Sequence, residues 1–300
     1  MLQERRRFLY PIPTRRPLPS RWPKGKPERM PLRRNVAALV AIMFLLLVSA
    51  AVLLAPSLAP SRPLQVDIAA QLMPPNRVHL LGTDLFGRDV FSRLLYGGRL
   101  TLGIGLLAAT VAALPGLALG LLAGYYDGWA DSLITRAMDV LLSIPYLLLA
   151  LMVVALMGQR LEGVALGLGL AGMPGTARVV RAAVVGVKRQ PFVLAARSVG
   201  CTERRILLHH ILPNVAGSAL VIATLQVGWA ILNTSALTFL GVGVPPGAPE
   251  WGAMLHEGRL YLRQAPWVAV ASGGMLTLTV LAVNLAGDGL RDAIDPRLRV

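Results

Sequence analysis

The chain has 300 residues, 55% of them hydrophobic and only 15% charged, with a mean hydropathy of +0.60 and a formal net charge of +15. A water-soluble domain carries about 25% charged residues, so an ordinary soluble enzyme is excluded and a membrane-embedded chain is expected. The single cysteine, Cys201, excludes an internal disulfide framework and any zinc site built on several cysteines.

Residues 1–34 come first. They hold 11 of the 30 Lys and Arg and are rich in proline (PIPTRRPLPSRWPKGKP). Such a segment cannot bury a core, so a disordered basic tail is expected. The positive charge invites a nucleic-acid reading. The positive-inside rule accounts for it better, with the tail cytoplasmic and no nucleic acid among the partners.

Six apolar stretches follow, each near the roughly 20 residues that cross ~30 Å of hydrocarbon as a helix. They are 36–55, 100–124, 140–157, 163–185, 215–240 and 267–285. The fourth carries Arg178 and Arg181 in its last turns, where long side chains reach the interface. Six crossings from a cytoplasmic tail put both termini inside. The inside segments are then 1–34, 125–139, 186–214 and 286–300, and the outside segments are 56–99, 158–162 and 241–266. Counting Arg178 and Arg181 with the inner end of the fourth span, the inside holds 22 Lys and Arg and the outside 8.

The outer segment contains GTDLFGRD, with Gly82, Thr83, Asp84, Gly87, Arg88 and Asp89. Paired charges in a glycine-rich turn are expected to fix the loop by salt bridges, with shaping of the outer mouth as the alternative. In the second span Gly116, Gly120 and Gly124 form two overlapping GxxxG steps, which predict close helix packing. Gly167-x-Gly169-x-x-Gly172 matches a dinucleotide fingerprint as a bare string. It lies inside a span without the βαβ context that motif needs, so close packing is expected there too. No GxxxxGK[ST] phosphate cradle occurs, so the chain is not expected to hydrolyse ATP or to be an enzyme.

The inside segment 186–214 holds AARSVGCTERRILLHHILPN, the most polar stretch between spans. Gly200 permits a left-handed turn. Thr202 is a candidate N-cap and Glu203 suits the positive end of the helix that follows. Ile206, Leu207, Ile211 and Leu212 form an apolar stripe, and Pro213 is expected to stop regular backbone bonding. The prediction is helix, glycine turn, short helix. Such a motif can lie on anionic lipid or dock into a partner's groove. The adjacent His209 and His210 point about 100° apart on a helix, which disfavours a shared metal; no metal site is predicted.

No span holds a central Asp or Glu, whereas ion-coupled transporters usually need an ionisable group at mid-membrane. The spans offer mild polar groups, notably Asn233, Thr234, Ser235 and Thr238 in the fifth, as candidates for a translocation path. Two alternatives stand beside an externally driven pathway: an ion-coupled secondary transporter and a non-transporting membrane anchor for a cytoplasmic complex.

The pattern A-A-R-x-x-G followed by I-L-P-N resembles the EAA loop of bacterial ABC-importer permeases. HLLGTDLFGRDVFSRLLYGGRLTLGIG (79–105), LTFLGVGVPPGAPEWGAML (237–255) and NLAGDGLRDAIDPRLR (284–299) resemble the dipeptide/oligopeptide/nickel permeases of the "C" type. The resemblance implies an all-α, six-span, type I (MetI-like) transmembrane domain in a bacterial or archaeal cytoplasmic membrane. Its organisation is a tail at 1–34, a first span and external segment at 35–99, a core at 100–290 and a cytoplasmic tail at 291–300. It further implies a second homologous permease, two ATPase subunits that carry the ATP and Mg, and an extracytoplasmic solute-binding protein. No cofactor is expected on this chain. The coupling role falls on Ala195, Ala196, Arg197, Gly200, Thr202, Glu203, Arg204, Leu212 and Pro213, with the Ala195–Ala196 face set against an ATPase groove. The acidic residue that names the EAA motif would fall at Leu194, a position that varies within the subfamily, and relatives commonly carry Glu at the position of Thr234; both are absent here.

Overall fold

The computed structural model describes residues 36–245 and 247–294, so the expectation for the tail at 1–34 lies outside the described residues, as does most of 291–300. Among the described residues the regular structure is helical, with one isolated antiparallel bridge between Thr83 and Asp89. Helix α1 spans Val36–Leu53 and the single turn α2 spans Ala55–Leu58. Helix α1 exposes Val40, Met43, Leu46 and Leu47, as expected of a helix that is apolar all round and meets lipid or another apolar chain rather than water.

Helix α3, Val90–Tyr125, begins ten residues before the predicted span because Asp89 caps it, accepting from Ser92 N at 2.7 Å. Its 36 residues are about 54 Å long at ~1.5 Å per residue. It packs along α6, Leu161–Lys188, and the three GxxxG glycines make that contact. A Cβ on Gly116, Gly120 or Gly124 would lie 2.6–2.8 Å from Thr176, Ala177 or Val184. The second glycine run faces three neighbours in turn. Gly167 meets Ala150, Gly169 meets Val111 and Gly172 meets Gln226. Both expectations of close packing therefore hold.

The predicted third span at 140–157 is not one helix. Residues 129–142 form α4 (Trp129–Leu142), most of it in the stretch expected as an inside loop, and Tyr146–Met157 form α5, with an 87° bend between them. Pro145 is the cause. It lacks an N–H and disfavours helical geometry at Ile144, while Ser143 Oγ donates back to Val140 O at 2.7 Å. Five helices are long and apolar enough to cross a membrane, and the bent pair makes a sixth when its two halves are counted as one span. Helix α5 runs beside the first half of α6. Helix α4 crosses its second half, where Asp131 pairs with Arg181 at 2.6 Å and Asp139 with Arg178 at 2.5 Å.

After α6 come α7 (Pro191–Ser198), the short α8 (Glu203–Arg205), a π turn (Ile206–Ile211) and α9 (Leu212–Phe239). Helix α10, Trp251–Gly258, tucks against α3, α9 and α11 (Pro266–Ile294). The bundle thus has two ends. One carries α7, the other α10. The first residues of α1 and the last of α11 lie at the α7 end, since Leu53 reaches Arg99 near the start of α3 and Ile294 packs on Gly217.

Candidate functional site

At the α7 end, Gly200 has φ +80°, and its Cβ position is open space. The left-handed turn is thus a backbone requirement rather than a packing one. Helix α7 begins with Pro191, suited to a first turn where an N–H goes unused. It is anchored by Val193 and Ala196, which sit with Val184, Ile206 and Ile211 in one apolar cluster. Its other face is open: Phe192, Leu194, Ala195, Ser198 and Val199 are exposed, Val199 by 79%.

Three expectations are corrected here. Ala195 and Ala196 do not share a partner-facing surface: Ala196 is 8% exposed and points inward, because neighbours on a helix diverge by about 100°. Thr202 occupies the N-cap position of α8, but its side chain makes no capping bond. Pro213 does not end a short helix. The chain runs helically from Glu203 to Phe239. The π turn accommodates the missing proline N–H: Leu212 N bonds to Leu207 O, five residues back, and Asn214 Nδ2 donates to His210 O at 2.6 Å. Around the turn, Arg197 lies 3.9 Å from Glu203, Arg204 is exposed, and Leu212 packs against the cluster edge.

The α10 end is a buried polar knot. Asp84, 3% exposed, accepts from the Phe86 and Arg88 amides at 2.8 and 3.0 Å, from Arg88 Nε at 2.6 Å and from Arg93 Nη1 at 2.5 Å. Both arginines also reach Glu257 on α10, at 2.8 and 2.7 Å. Asp89 Oδ1 is 3.0 Å from His79 Nδ1. Thr83 Oγ1 accepts from Met73 N at 2.8 Å, and the Thr83 carbonyl accepts from Trp267 Nε1 at 3.0 Å. Gly82 and Gly87 both have positive φ, and a Cβ on Gly87 would strike the Asp67 carbonyl oxygen. The six predicted residues of this segment therefore come together, with salt bridges fixing the loop.

Sequence reasoning missed three members of this end. Arg93, fully buried, lay outside the GTDLFGRD string. Glu257 and Glu250 lay in a segment expected to be an outer loop. Glu250 is fully buried at the N-cap of α10, accepting from Thr101 Oγ1 and Ala253 N, both at 2.9 Å. Burial pushes its carboxyl above the ordinary range, against the opposing pull of the Gly252 and Ala253 amides and the Thr101 and Thr238 hydroxyls. The Gly97–Gly98 pair in α3 was the available signal: a Cβ there would strike the Pro249 carbonyl or Val52 and Trp251.

The four candidate path residues are not on an open face. Asn233, Thr234, Ser235 and Thr238 are 0–7% exposed within this chain. Asn233, Ser235 and Thr238 donate to the carbonyls of Trp229, Ile231 and Thr234 on their own helix. Thr238 alone of the four borders a cavity of about 320 Å³, walled largely by apolar groups such as Leu72, Phe86, Val244 and Tyr261. The open face of α9 carries Trp229, Leu232 and Leu240 instead.

This helix arrangement has a solved counterpart. A chain of the MetNI methionine ABC transporter, solved in inward-facing conformations, superposes with a TM-score of 0.56. The match covers 68% of this chain and 96% of that one at 20% identity, and it shows that the two chains share a fold. Residues 116–300 match the family described as "Binding-protein-dependent transport system inner membrane component", and the chain belongs to that family. Similar relatives agree over nearly their full lengths. The dipeptide transport system permease protein of Alkalihalophilus pseudofirmus is 40% identical over 89% of this chain and 88% of its own. The glutathione transport system permease protein of Pectobacterium atrosepticum is 40% identical over 98% of both. The di/tripeptide permease protein of Pseudomonas aeruginosa is 42% identical over 88% of this chain and 89% of its own. The chain is a membrane-embedded permease subunit of an ABC importer.

Proposed function

We propose that this subunit forms half of the translocation pathway of a peptide importer, with short peptides, glutathione included, as the solute class. A second homologous permease supplies the other half. Two ATPase subunits carry ATP and Mg, and an extracytoplasmic solute-binding protein delivers the solute. On this reading the α7 end and both termini are cytoplasmic, and the α10 end faces out. The dipeptide, di/tripeptide and glutathione permeases among its relatives support the solute class.

The observation that carries the coupling role is the two-faced α7. Its inner face is fixed by buried Val193 and Ala196, while an open row at Leu194, Ala195 and Val199 is covered by nothing among the described residues. A short helix presenting apolar residues beside exposed Arg197 and Arg204 suits a groove on a partner protein. The knot at the α10 end serves as a fixed platform for the binding protein. The exposed face of α9, rather than Asn233–Ser235, is turned toward the second permease. The test is co-purification of the ATPase subunits with Ala195→Trp, which adds bulk on the open face only. Normal membrane abundance with loss of the ATPases is expected. Full retention of the ATPases and of peptide uptake would show that α7 is a solvated connector.

A further inference from the structure

Four segments distant in sequence meet at one phenol. Tyr125 closes α3, is 3% exposed, and belongs to the apolar cluster that anchors α7. Its hydroxyl donates to Glu203 Oε2 at the start of α8 and accepts from Arg197 Nη2 on the last turn of α7 at 3.4 Å. The Arg197 guanidinium and the Lys188 ammonium each stand 5.7 Å from the ring centroid, a distance at which cations are attracted to the aromatic face. Lys188, the last residue of α6, also donates to the Tyr125 carbonyl oxygen at 2.6 Å and pairs with Asp127 at 2.7 Å.

These contacts differ in kind from the rest of the α7 anchorage. Val193 and Ala196 fix the depth of α7 through apolar burial, which is non-directional. An eight-residue helix has little stability of its own to hold an orientation. Arg197 and Glu203 flank the Gly200 turn, and among the described residues Tyr125 is the only α3 side chain that hydrogen-bonds to that turn. Tyr125 is also rigidly backed. The contacts of Gly116, Gly120 and Gly124 with α6 bind the last third of α3 into one body with α6. The far end of that same α3 carries Arg93 and Thr101, which engage Glu257 and Glu250 at the α10 end.

We propose that Tyr125 is the positioning residue that links the α7 turn to the α3–α6 pair, so that displacement of the turn by the ATPases moves those spans and binding at the α10 end is felt by the ATPases. The inference rests on reading α7 as the ATPase-docking helix. A residue that merely shaped the loop would, when altered, lower ATPase docking, basal hydrolysis and stimulation together. A linking residue separates them.

The experiment uses the complete transporter in liposomes: both permeases, both ATPases and the binding protein as purified. Tyr125→Phe keeps the ring and removes the hydroxyl, Glu203→Gln removes the charge it meets, and the double variant completes a cycle. Three quantities are read: co-purified ATPase, basal ATP hydrolysis, and its stimulation by the binding protein. Tyr125→Phe is expected to leave the first two at wild-type levels and to cut stimulation about three- to tenfold, the range of a modest coupling between sites. The double variant is expected to match the single ones rather than multiply their effects. Unchanged stimulation, or a parallel fall of all three quantities, overturns the proposal. Failure of the underlying reading has a different signature: Ala195→Trp would retain the ATPase subunits and peptide uptake at wild-type levels.

Discussion

The two ends of the bundle treat their polar groups in opposite ways. At the α10 end Asp84, Arg88 and Arg93 are each at most 5% exposed, and they bond to one another and to Glu257. At the α7 end Arg197 and Glu203 are 42% and 58% exposed, 3.9 Å apart, and flank an open row of apolar side chains. Among the described residues the first end pairs its charges within one chain, with Arg93 Nε and Nη2 left without a hydrogen-bond partner. The second leaves surface uncovered, and its turn owes its shape to a glycine dihedral rather than to packing. On the proposed reading, in which ATPases dock at the α7 end, this asymmetry lets one end respond while the other keeps its shape.

Breaking the closed end should cost most. Arg93→Met removes a fully buried cation that bridges buried Asp84 and half-buried Glu257, and losing one partner of a buried pair costs about 3–5 kcal/mol. A large fall in melting temperature and in detergent-extracted yield is expected. A melting temperature equal to that of wild type would show that the knot is not what holds this end. Glu250 sharpens the same point through pH. Burial raises its folded-state pKa, so the folded chain holds that proton more tightly than the unfolded chain does. Its contribution is therefore present in acid and declines as pH rises above the ordinary carboxylate range. Glu250→Gln cannot ionise, and thermal-aggregation curves across pH should be flatter for it than for wild type.

At the open end the effects should be smaller in stability and larger in partnership. Gly200→Val forces a Cβ into a left-handed conformation at a cost of about 1–2 kcal/mol, with no steric clash because the site is empty. Local proteolysis at 198–202 should rise and ATPase co-purification should fall, with membrane abundance unchanged. Leu194→Ala is expected to change stability least, within about 0.5 kcal/mol for an exposed position. Weaker ATPase retention is expected all the same. A loss of stability comparable to that of Arg93→Met would erase the contrast between the ends.

The parts legible in the sequence were those that depend on spacing. Gly116, Gly120 and Gly124 announce a helix contact by repeat alone, and α6 is where they meet it. The Gly200 turn was legible because φ +80° is costly for other residues. What spacing could not convey was facing. Ala195 and Ala196 are chemically identical, and only the packing of Val193 against Ile206 and Ile211 decides which of them points inward. The mild polar groups of α9 suggested a pathway because their composition is unusual for a span, yet helices satisfy such hydroxyls on their own carbonyls. The break at Pro145 was visible in the sequence, but the apolar run across it concealed the bend. The burial of Glu250 was signalled only indirectly, by the Gly97–Gly98 pair that admits α10 to α3, and nothing around Glu250 itself announced it.

The π turn sets the rotational phase of everything that follows it. Ile206 and Ile211 are both fully buried although five residues apart, a pair that would diverge by about 140° on a regular α-helix. Widening the turn brings both to the same cluster. Deleting one residue between 206 and 211 would restore a regular helix and keep the phase, whereas closing this turn into a regular α-helix with every residue kept would turn α9 by about 100° about its axis relative to α8. The composition of the span would be unchanged, and it would still be hydrophobic enough to enter the membrane. Ile231, Thr234 and Thr238 would then swing away from α3 and α10, and Trp229 and Leu232 would swing toward them. The chain would keep its spans and lose the α9 face proposed here to meet a second permease.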